Sequence, residues 1–334
     1  MTRCILVNRI LHIFQALFVF LVIASCSQEQ VLTIGTGGTA GNYDKTGLAI
    51  ARIVDKEQAA QGLRLQVKSS SGSVANIDAI MAGEIQFGIA QADRQYQAVN
   101  GLAEWKGKGP QKGLRSMFSL YTESVTLVAG RDSGISTVGD LKGKRVDIGP
   151  SGSGIRQNAI DTLQGTGIDP GKDITVSEEG WDNRVSMLMH GQLDALFHTV
   201  GHPSQDILFI TSSMRQVRFI PLDNIETLLA KYPYYSKSSI AVKTWYPAAD
   251  NNKDVQTIGV KATLLTSEKV PDEVVYAITK AVFSNLDALG QNTPILQNLG
   301  KEEMVQGLTA PIHPGALRYY NEIGLQVPPS RLTP

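Results

Sequence analysis

From Val31 onward, short apolar runs alternate with glycine-rich turns and with segments whose apolar residues recur at helical spacing. VLTIG (31–35) reads as a strand and GTGGTAGNY (35–43) as a turn. Lys45 to Asp55 then places Leu48, Ile50, Ile53 and Val54 at helical intervals. LRLQVKS puts Leu63, Leu65 and Val67 on alternate positions, the pattern of a strand with one buried face. SSSGS opens a helix with Val74, Ile77, Ile80 and Met81 on one side; Gly83 stops it and IQFGIA is the next strand. A second series repeats the scheme. RVDIGP, ITVSE, ALFHTVG and QVRFIPL read as strands, and SGSGIRQNAIDTL, WDNRVSMLMHG and IETLLAKYP as helices. Pro271-Asp272-Glu273 has the proline and acids of a helical first turn. The alternation predicts an α/β fold whose mostly parallel sheet is covered on both faces.

Two extended runs are longer than one small domain needs: SMFSLYTESVTLVAG (116–130) and VQTIGVKATLLTS (255–267). They bracket the second series, so the simplest topology has the chain cross to a second lobe and return. Residues 31–120 plus 260–324 form lobe 1 in this reading, and 126–255 form lobe 2: two Rossmann-like lobes joined by two long hinge strands. The lobes also echo each other. SGSVANIDAIMAGEIQFGIAQAD lies over EGWDNRVSMLMHGQLDALFHTVG without a gap, matching Gly72 to Gly180, Met81 to Met189, Gly83 to Gly191 and Ile85 to Leu193.

The N-terminus changes the picture of where such a domain works. Arg3 and Arg9 flank a polar start, Ile10 to Ile23 is a short apolar core, and Ala24, Ser25 and Cys26 follow. This is the layout of a secretory signal (1–25), and the apolar run is shorter than a bilayer requires. Ile23-Ala24-Ser25-Cys26 also resembles the lipobox of bacterial lipoproteins, which implies lipidation at Cys26 and a membrane-anchored, extracytoplasmic chain. Of the two cysteines, Cys4 leaves with the signal, so Cys26 has no partner for an internal disulfide. Removing Arg3 and Arg9 leaves a formal charge near −2, with no basic excess to attract nucleic acid.

Candidate chemistry gathers where strands end and helices begin. Gly35–Tyr43, Ser69–Ser73, Ala90–Asp93 and Pro150–Arg156 occupy such positions, with His198–His202, which contains Thr199, as a fifth. Glycines admit a ligand close to the backbone, and free N–H groups at a helix start attract an anion. Gly37, Gly38, Ser71, Ser73, Ser151 and Ser153 suit that purpose. Arg156 has the fork to grip a carboxylate, and Tyr43 can stack on or hydrogen-bond a small organic ligand. Taken singly, serines and glycines before helices also serve as ordinary caps and turns. GTGGTAG lacks the Gly-Lys-Ser/Thr of a phosphate-binding loop, and GPSGSG fits neither the dinucleotide fingerprint nor a serine-hydrolase elbow. His198 and His202 have a metal-like spacing, but no third histidine is near and Pro203 follows, so no metal is expected. His313 reads as structural, and Asp194 as a cap or an amino-group acceptor. No cofactor and no catalytic acid, base or nucleophile set emerges, so the chain is not read as an enzyme.

IGTGGTAGNY, SSSGSVANIDAIMAGEIQFGIAQAD, DSGISTVGDLKGKRVDIGPSGSGIR, DALFHTVGHP and APIHPGALRYYNEIG together resemble the TAXI family, the solute-binding proteins of one class of TRAP transporters, from about Val31 to Gly324. The resemblance implies a two-lobed, type II-like periplasmic-binding-protein fold that closes on a small carboxylate or an amino acid such as glutamate. It also implies delivery to a TRAP-type membrane permease driven by an ion gradient. It maps the family's first loop to Gly37, Gly38, Gly41 and Tyr43, its IxQxD segment to Ile89, Gln91 and Asp93, and its PGSGTR-like loop to Ser151, Gly152, Ser153, Gly154 and Arg156. Asp44-Lys45 stands where a Tyr-Pro is frequent, and Ile155 where a threonine is, so the usual ligand does not transfer automatically. Two other roles fit the same fold: a ligand-binding lipoprotein serving a membrane sensor, and a surface antigen with a vestigial cleft.

Overall fold

The computed structural model describes residues 30–328 except Ala40, Asn292 and Asn298; the signal segment and Cys26 lie outside the described residues. In chain order the elements are β1 (Gln30–Gly35), α1 (Asn42–Gln58), β2 (Leu63–Lys68), α2 (Ser73–Ala82), β3 (Phe87–Gln91), α3 (Ala92–Asn100), β4 (Leu114–Gly130), β5 (Arg145–Asp147), α4 (Gly154–Gly165), β6 (Thr175–Ser177) and α5 (Trp181–Met189). There follow β7 (Ala195–Val200), α6 (Gln205–Thr211), β8 (Val217–Ile220), α7 (Ile225–Lys231), β9 (Ser236–Ile240), α8 (Val242–Trp245), β10 (Val255–Ser267), α9 (Asp272–Phe283), α10 (Leu286–Gly290) and α11 (Pro314–Glu322).

The strands lie in the order β2-β1-β3-β10-β4-β7-β5-β6, with β8 added beside β4 and β9 beside β10. The expectation of a mostly parallel sheet needs correction. Parallel pairing holds within β2-β1-β3 and within β7-β5-β6, but β4 and β10 pair antiparallel with each other and with every strand they touch. The reason is their length. β4 has 17 residues, about 56 Å at roughly 3.3 Å per residue, enough to run through both lobes. β10 makes the return journey beside it, so antiparallel pairing follows from the crossing and the return.

Four clusters of buried apolar side chains show how the lobes are built. Around β1–β3, one face carries Ile34, Ile50, Val54, Ile89 and Phe118 against Ile278, Val282, Phe283 and Tyr320 of α9 and α11. The opposite face carries Ile77, Ile80, Ala98 and Trp105 beneath α2 and α3. Around β5–β7, one face packs Leu127, Val146, Ala159, Leu163 and Phe197, and the other Val128, Val185, Leu188, Leu196 and Ile210. Neighbours Leu127 and Val128 enter different cores because successive strand residues point to opposite faces. Along β4, Tyr121 belongs to the first lobe's core and Val125 to the second's; along β10 the change falls between Val260 and Ala262. Glu123 therefore sits where one core stops and the next begins, opposite Val260. No helix among the described residues is long and apolar enough to cross a membrane.

α3 is absent from the sequence reading for a physical reason. β3 runs straight into it, with Gln91 serving as both last strand residue and N-cap, so no glycine or proline marks the change. Its buried positions include Asp93, Arg94, Gln95 and Gln97, which leave no apolar stripe to read.

Candidate functional site

A cleft of about 380 Å³ lies between the lobes. Its first wall is the Gly37–Tyr43 loop, Ser70–Ser73 and Gln91; its second is Pro150, Ser153–Ile155, Gly180, Trp181, Arg184, His198–Val200 and Asp206; Glu123 is the one contribution from β4. Four helices start on this cleft: α1, α2, α4 and α5, behind N-cap residues Gly41, Gly72, Ser153 and Gly180. No side chain caps α1, α2 or α5, whereas the Ser153 hydroxyl accepts from the Arg156 amide at 3.3 Å. Each helix start presents unpaired amides and roughly half a positive charge, so the cleft favours an acidic group. Gly72 holds φ +112°, a conformation a larger residue rarely adopts, and this lets the Ser70–Ser73 turn meet the opposite loop.

The lobes touch across the cleft. Asn42 Nδ2 donates to the Gly201 carbonyl at 3.0 Å, and the Ala75 amide to the Gly152 carbonyl at 3.4 Å. A Cβ placed on Gly154 would fall on Gln91 Oε1, well inside van der Waals contact.

The segments that echo each other in sequence form the same succession of elements. α2–β3 and α5–β7 are equivalent units, and each turn after the helix holds a left-handed glycine, Gly83 and Gly191. Asn76 Nδ2 donates to the Ile89 carbonyl at 2.8 Å, and Arg184, at the equivalent position, donates through Nη2 to the Phe197 carbonyl. Under the same alignment Ser73 corresponds to Trp181, and Gln91 to Thr199. All four face the cleft.

Arg184 is the cation of the second wall. It is 1 % exposed, its Nε lies 3.1 Å from Asp147 Oδ1, and its guanidinium is 5.6 Å from the Trp181 ring centre. Asp147 is itself fixed by the Gly149 and Glu179 amides and the Ser177 hydroxyl at 2.9–3.0 Å. Burial pulls the Arg184 pKa down, with Asp147 and Asp206 opposing, and Nη1 has no hydrogen-bond partner. Trp181 packs against His198 with ring centres 4.5 Å apart and planes tilted by 36°, and His198 Nε2 lies 3.5 Å from Asp206 Oδ2. Burial lowers the His198 pKa, which favours the neutral ring. Glu123 is 3 % exposed and accepts from the Tyr43 hydroxyl at 2.9 Å; desolvation pushes its carboxyl up to about 8, against the lowering effect of the Tyr43 and Gln91 side chains. Gln91 Oε1, Thr199 Oγ1 and His198 Nδ1 are buried without partners. Unpaired buried polar groups are costly, and a polar ligand would satisfy them.

Gly37, Gly38, Tyr43, Ser71, Ser73, Gln91, Ser153 and Thr199 are thus brought together, while three expected residues are placed elsewhere. Arg156 points away and pairs with Glu178 through Nε and Nη2 at 2.9 and 2.7 Å, so it does not supply the cation of the cleft. Ser151 is exposed in the turn before Gly152. Asp93 is buried in a cluster between the lobes: it pairs with Arg94 at 3.1 Å and accepts from Asn158 Nδ2 at 2.6 Å, while Tyr235 donates to Asp161 at 2.9 Å. Asp194 holds Arg145 at the surface, and His313 caps α11 by accepting from the Gly315 amide. His202 is tied to Thr126 and Tyr246 at 2.9 and 2.6 Å, and desolvation lowers its pKa to about 3. No cluster of three or more metal-ligating side chains occurs among the described residues.

Glu123, Trp181, Arg184 and Asp206 were not legible as site residues. Two signals existed: an acid in the middle of the apolar run SLYTESVTLV, and the internal alignment that places Arg184 and Trp181 over Asn76 and Ser73.

The model of the NMT1-like family matches residues 34–324. Among solved structures, a protein of Bordetella bronchiseptica RB50 is 13 % identical with a TM-score of 0.52, covering 89 % of this chain and 99 % of that one. The alkanesulfonate-binding protein SsuA from Xanthomonas axonopodis pv. citri is 14 % identical at a TM-score of 0.46, with 81 % and 83 % covered. A putative L-cystine transporter protein from Listeria monocytogenes is 16 % identical at 0.47, with 78 % and 93 % covered. At 13 % identity the likeness to the Bordetella protein concerns the fold.

Proposed function

The chain belongs to the NMT1-like family, and from that premise we propose that it is an extracytoplasmic solute-binding protein. In this reading it captures a small carboxylate or amino acid between its lobes and hands it to a TRAP-type permease of the TAXI class, held at the membrane by a lipid on Cys26. The observation that carries the reading is the cleft itself: four helix starts, three of them without a side-chain cap, and several unpartnered buried polar atoms surround one space between two lobes. Residues 31–120 with 260–324, and 126–255, are the two bodies that would move. The crossings of β4 and β10, at Glu123 and Lys261, are where bending costs least packing, because neither core extends through them.

Ligand capture then needs no chemical step. The ligand's carboxylate takes the helix-start amides and Arg184 Nη1, and closure removes it from water, which strengthens each of those contacts. Isothermal titration of the purified protein against amino acids, mono- and dicarboxylates tests the reading. Saturable binding that saturates at one ligand per chain is expected; no binding by any of them would remove the proposal. TRAP coupling is tested separately, by co-purification with a permease.

A further inference from the structure

We infer that Glu123 reads the amino group of the solute, and that it gives its proton to solvent when that group seats. The inference rests on the solute-binding role proposed above and narrows it to ligands that carry an ammonium beside their carboxylate.

The argument starts from position. Glu123 sits on the cleft at the change-over between the two cores, and no cation lies within ion-pair distance of it among the described residues. One carboxyl oxygen is taken by the Tyr43 hydroxyl at 2.9 Å. The Gln91 side chain favours the ionised carboxyl as well, and its Oε1, which faces Gly154 across the cleft, is buried with no donor to satisfy it. A carboxyl and an unfilled amide oxygen on one cleft are both acceptors, and an ammonium with several N–H donors is the group that suits them. Around these acceptors stand donors on both walls: the starts of α1 and α2 beside Gln91, and the starts of α4 and α5 with the unpartnered N–H of Arg184 opposite. A local acceptor group among donors suits a zwitterion.

Charge points the same way. Asp147 neutralises Arg184, His198 is held neutral by burial, and Asp206 adds a negative charge to the cleft. A dicarboxylate would bring two more negative charges to a site that has no surplus cation. The ionisable neighbours acting on Glu123 are Tyr43 from α1 and Asp93 from α3, with Tyr121 two residues away on β4; none of them is a cation. Burial without a cation favours the protonated carboxyl, so an empty cleft holds the acid form at neutral pH. An arriving ammonium reverses that preference. The O–H bond of Glu123 breaks, the proton leaves to water, and a carboxylate–ammonium pair forms; the ligand keeps its own protons and the charge balances.

The test is calorimetric titration of twenty amino acids and their des-amino counterparts, L-glutamate with glutarate among them, in buffers of different ionisation enthalpy. The wild type should release about 0.9 proton per amino acid bound at pH 7, and affinity should rise nearly tenfold per pH unit between pH 6 and pH 7. Glu123→Gln should abolish both. Tyr43→Phe removes the hydroxyl donor, raises the carboxyl's proton affinity and should move the midpoint of the pH dependence upward. That variant keeps the test decisive if Glu123→Gln does not fold. Amino-acid binding without proton release, or a Tyr43→Phe profile superimposed on the wild type, overturns the inference. Binding of des-amino acids alone also overturns it while leaving solute capture standing. Failure of every compound to bind overturns both.

Discussion

Replacing Glu123 by glutamine probes the cost of burying an acid at the junction of two cores, and it can be read without any ligand. In the folded protein the carboxyl loses its proton only near pH 8, because desolvation penalises the charged form more than the Tyr43 and Gln91 side chains repay. In the unfolded chain it ionises near 4.5. The folded pKa is thus the higher one. The group's contribution to stability is fully present below the unfolded value, declines as pH rises between the two values and is gone once the folded value is passed. Each pKa unit corresponds to about 1.4 kcal/mol, so stability should fall by about 3 kcal/mol between pH 5 and pH 8 from this residue alone. Glutamine keeps the shape and the oxygen that accepts from Tyr43 but never ionises. The assay is urea unfolding of wild type and variant across pH 5 to pH 8, taking the difference between the two curves so that other titrating groups cancel. The variant should match the wild type near pH 5 and exceed it by about 3 kcal/mol at pH 8. Parallel curves would refute the reasoning, since they would mean that Glu123 is solvated in the folded state.

Gly154→Ala places a methyl group on Gln91 Oε1, where the lobes meet; closure should be blocked, with solute affinity down at least about tenfold by calorimetry and the thermal midpoint nearly unchanged. Asp93→Ala strips a buried partner from Arg94, which is 0 % exposed, and should cost about 3–5 kcal/mol in urea unfolding. A loss below about 1 kcal/mol would show that Glu104 and Asp161 hold the guanidinium unaided. Arg156→Ala should leave solute affinity within about twofold of wild type because its side chain is spent on Glu178, whereas Arg184→Met should reduce it by more than about tenfold. Equal effects from the two arginines would contradict the placement of the cation.

Local pattern by itself determined the elements and much of the architecture. Period-2 and period-3.6 apolar spacing, punctuated by glycines such as Gly83, depends on neighbours a few residues away, so β1 through α2 and the two over-long strands could be read directly. The loops that line the cleft were legible too, because glycine and serine before a helix report a local need for tight turns and exposed amides. Only the tertiary structure decided which charged residues serve the cleft. Arg156 and Arg184 both lie near the start of a helix that opens on it. A neighbouring Glu178 draws one outward, while Asp147, Trp181 and the Phe197 carbonyl hold the other within the wall. Asp93 and Glu123 are both acids near the lobe junction, yet Arg94 and Asn158 claim the first and only the Tyr43 hydroxyl and the Gln91 side chain meet the second. The carboxylates that turn the two arginines, Glu178 and Asp147, lie well beyond a few helical turns in sequence, and periodicity carries no information about those.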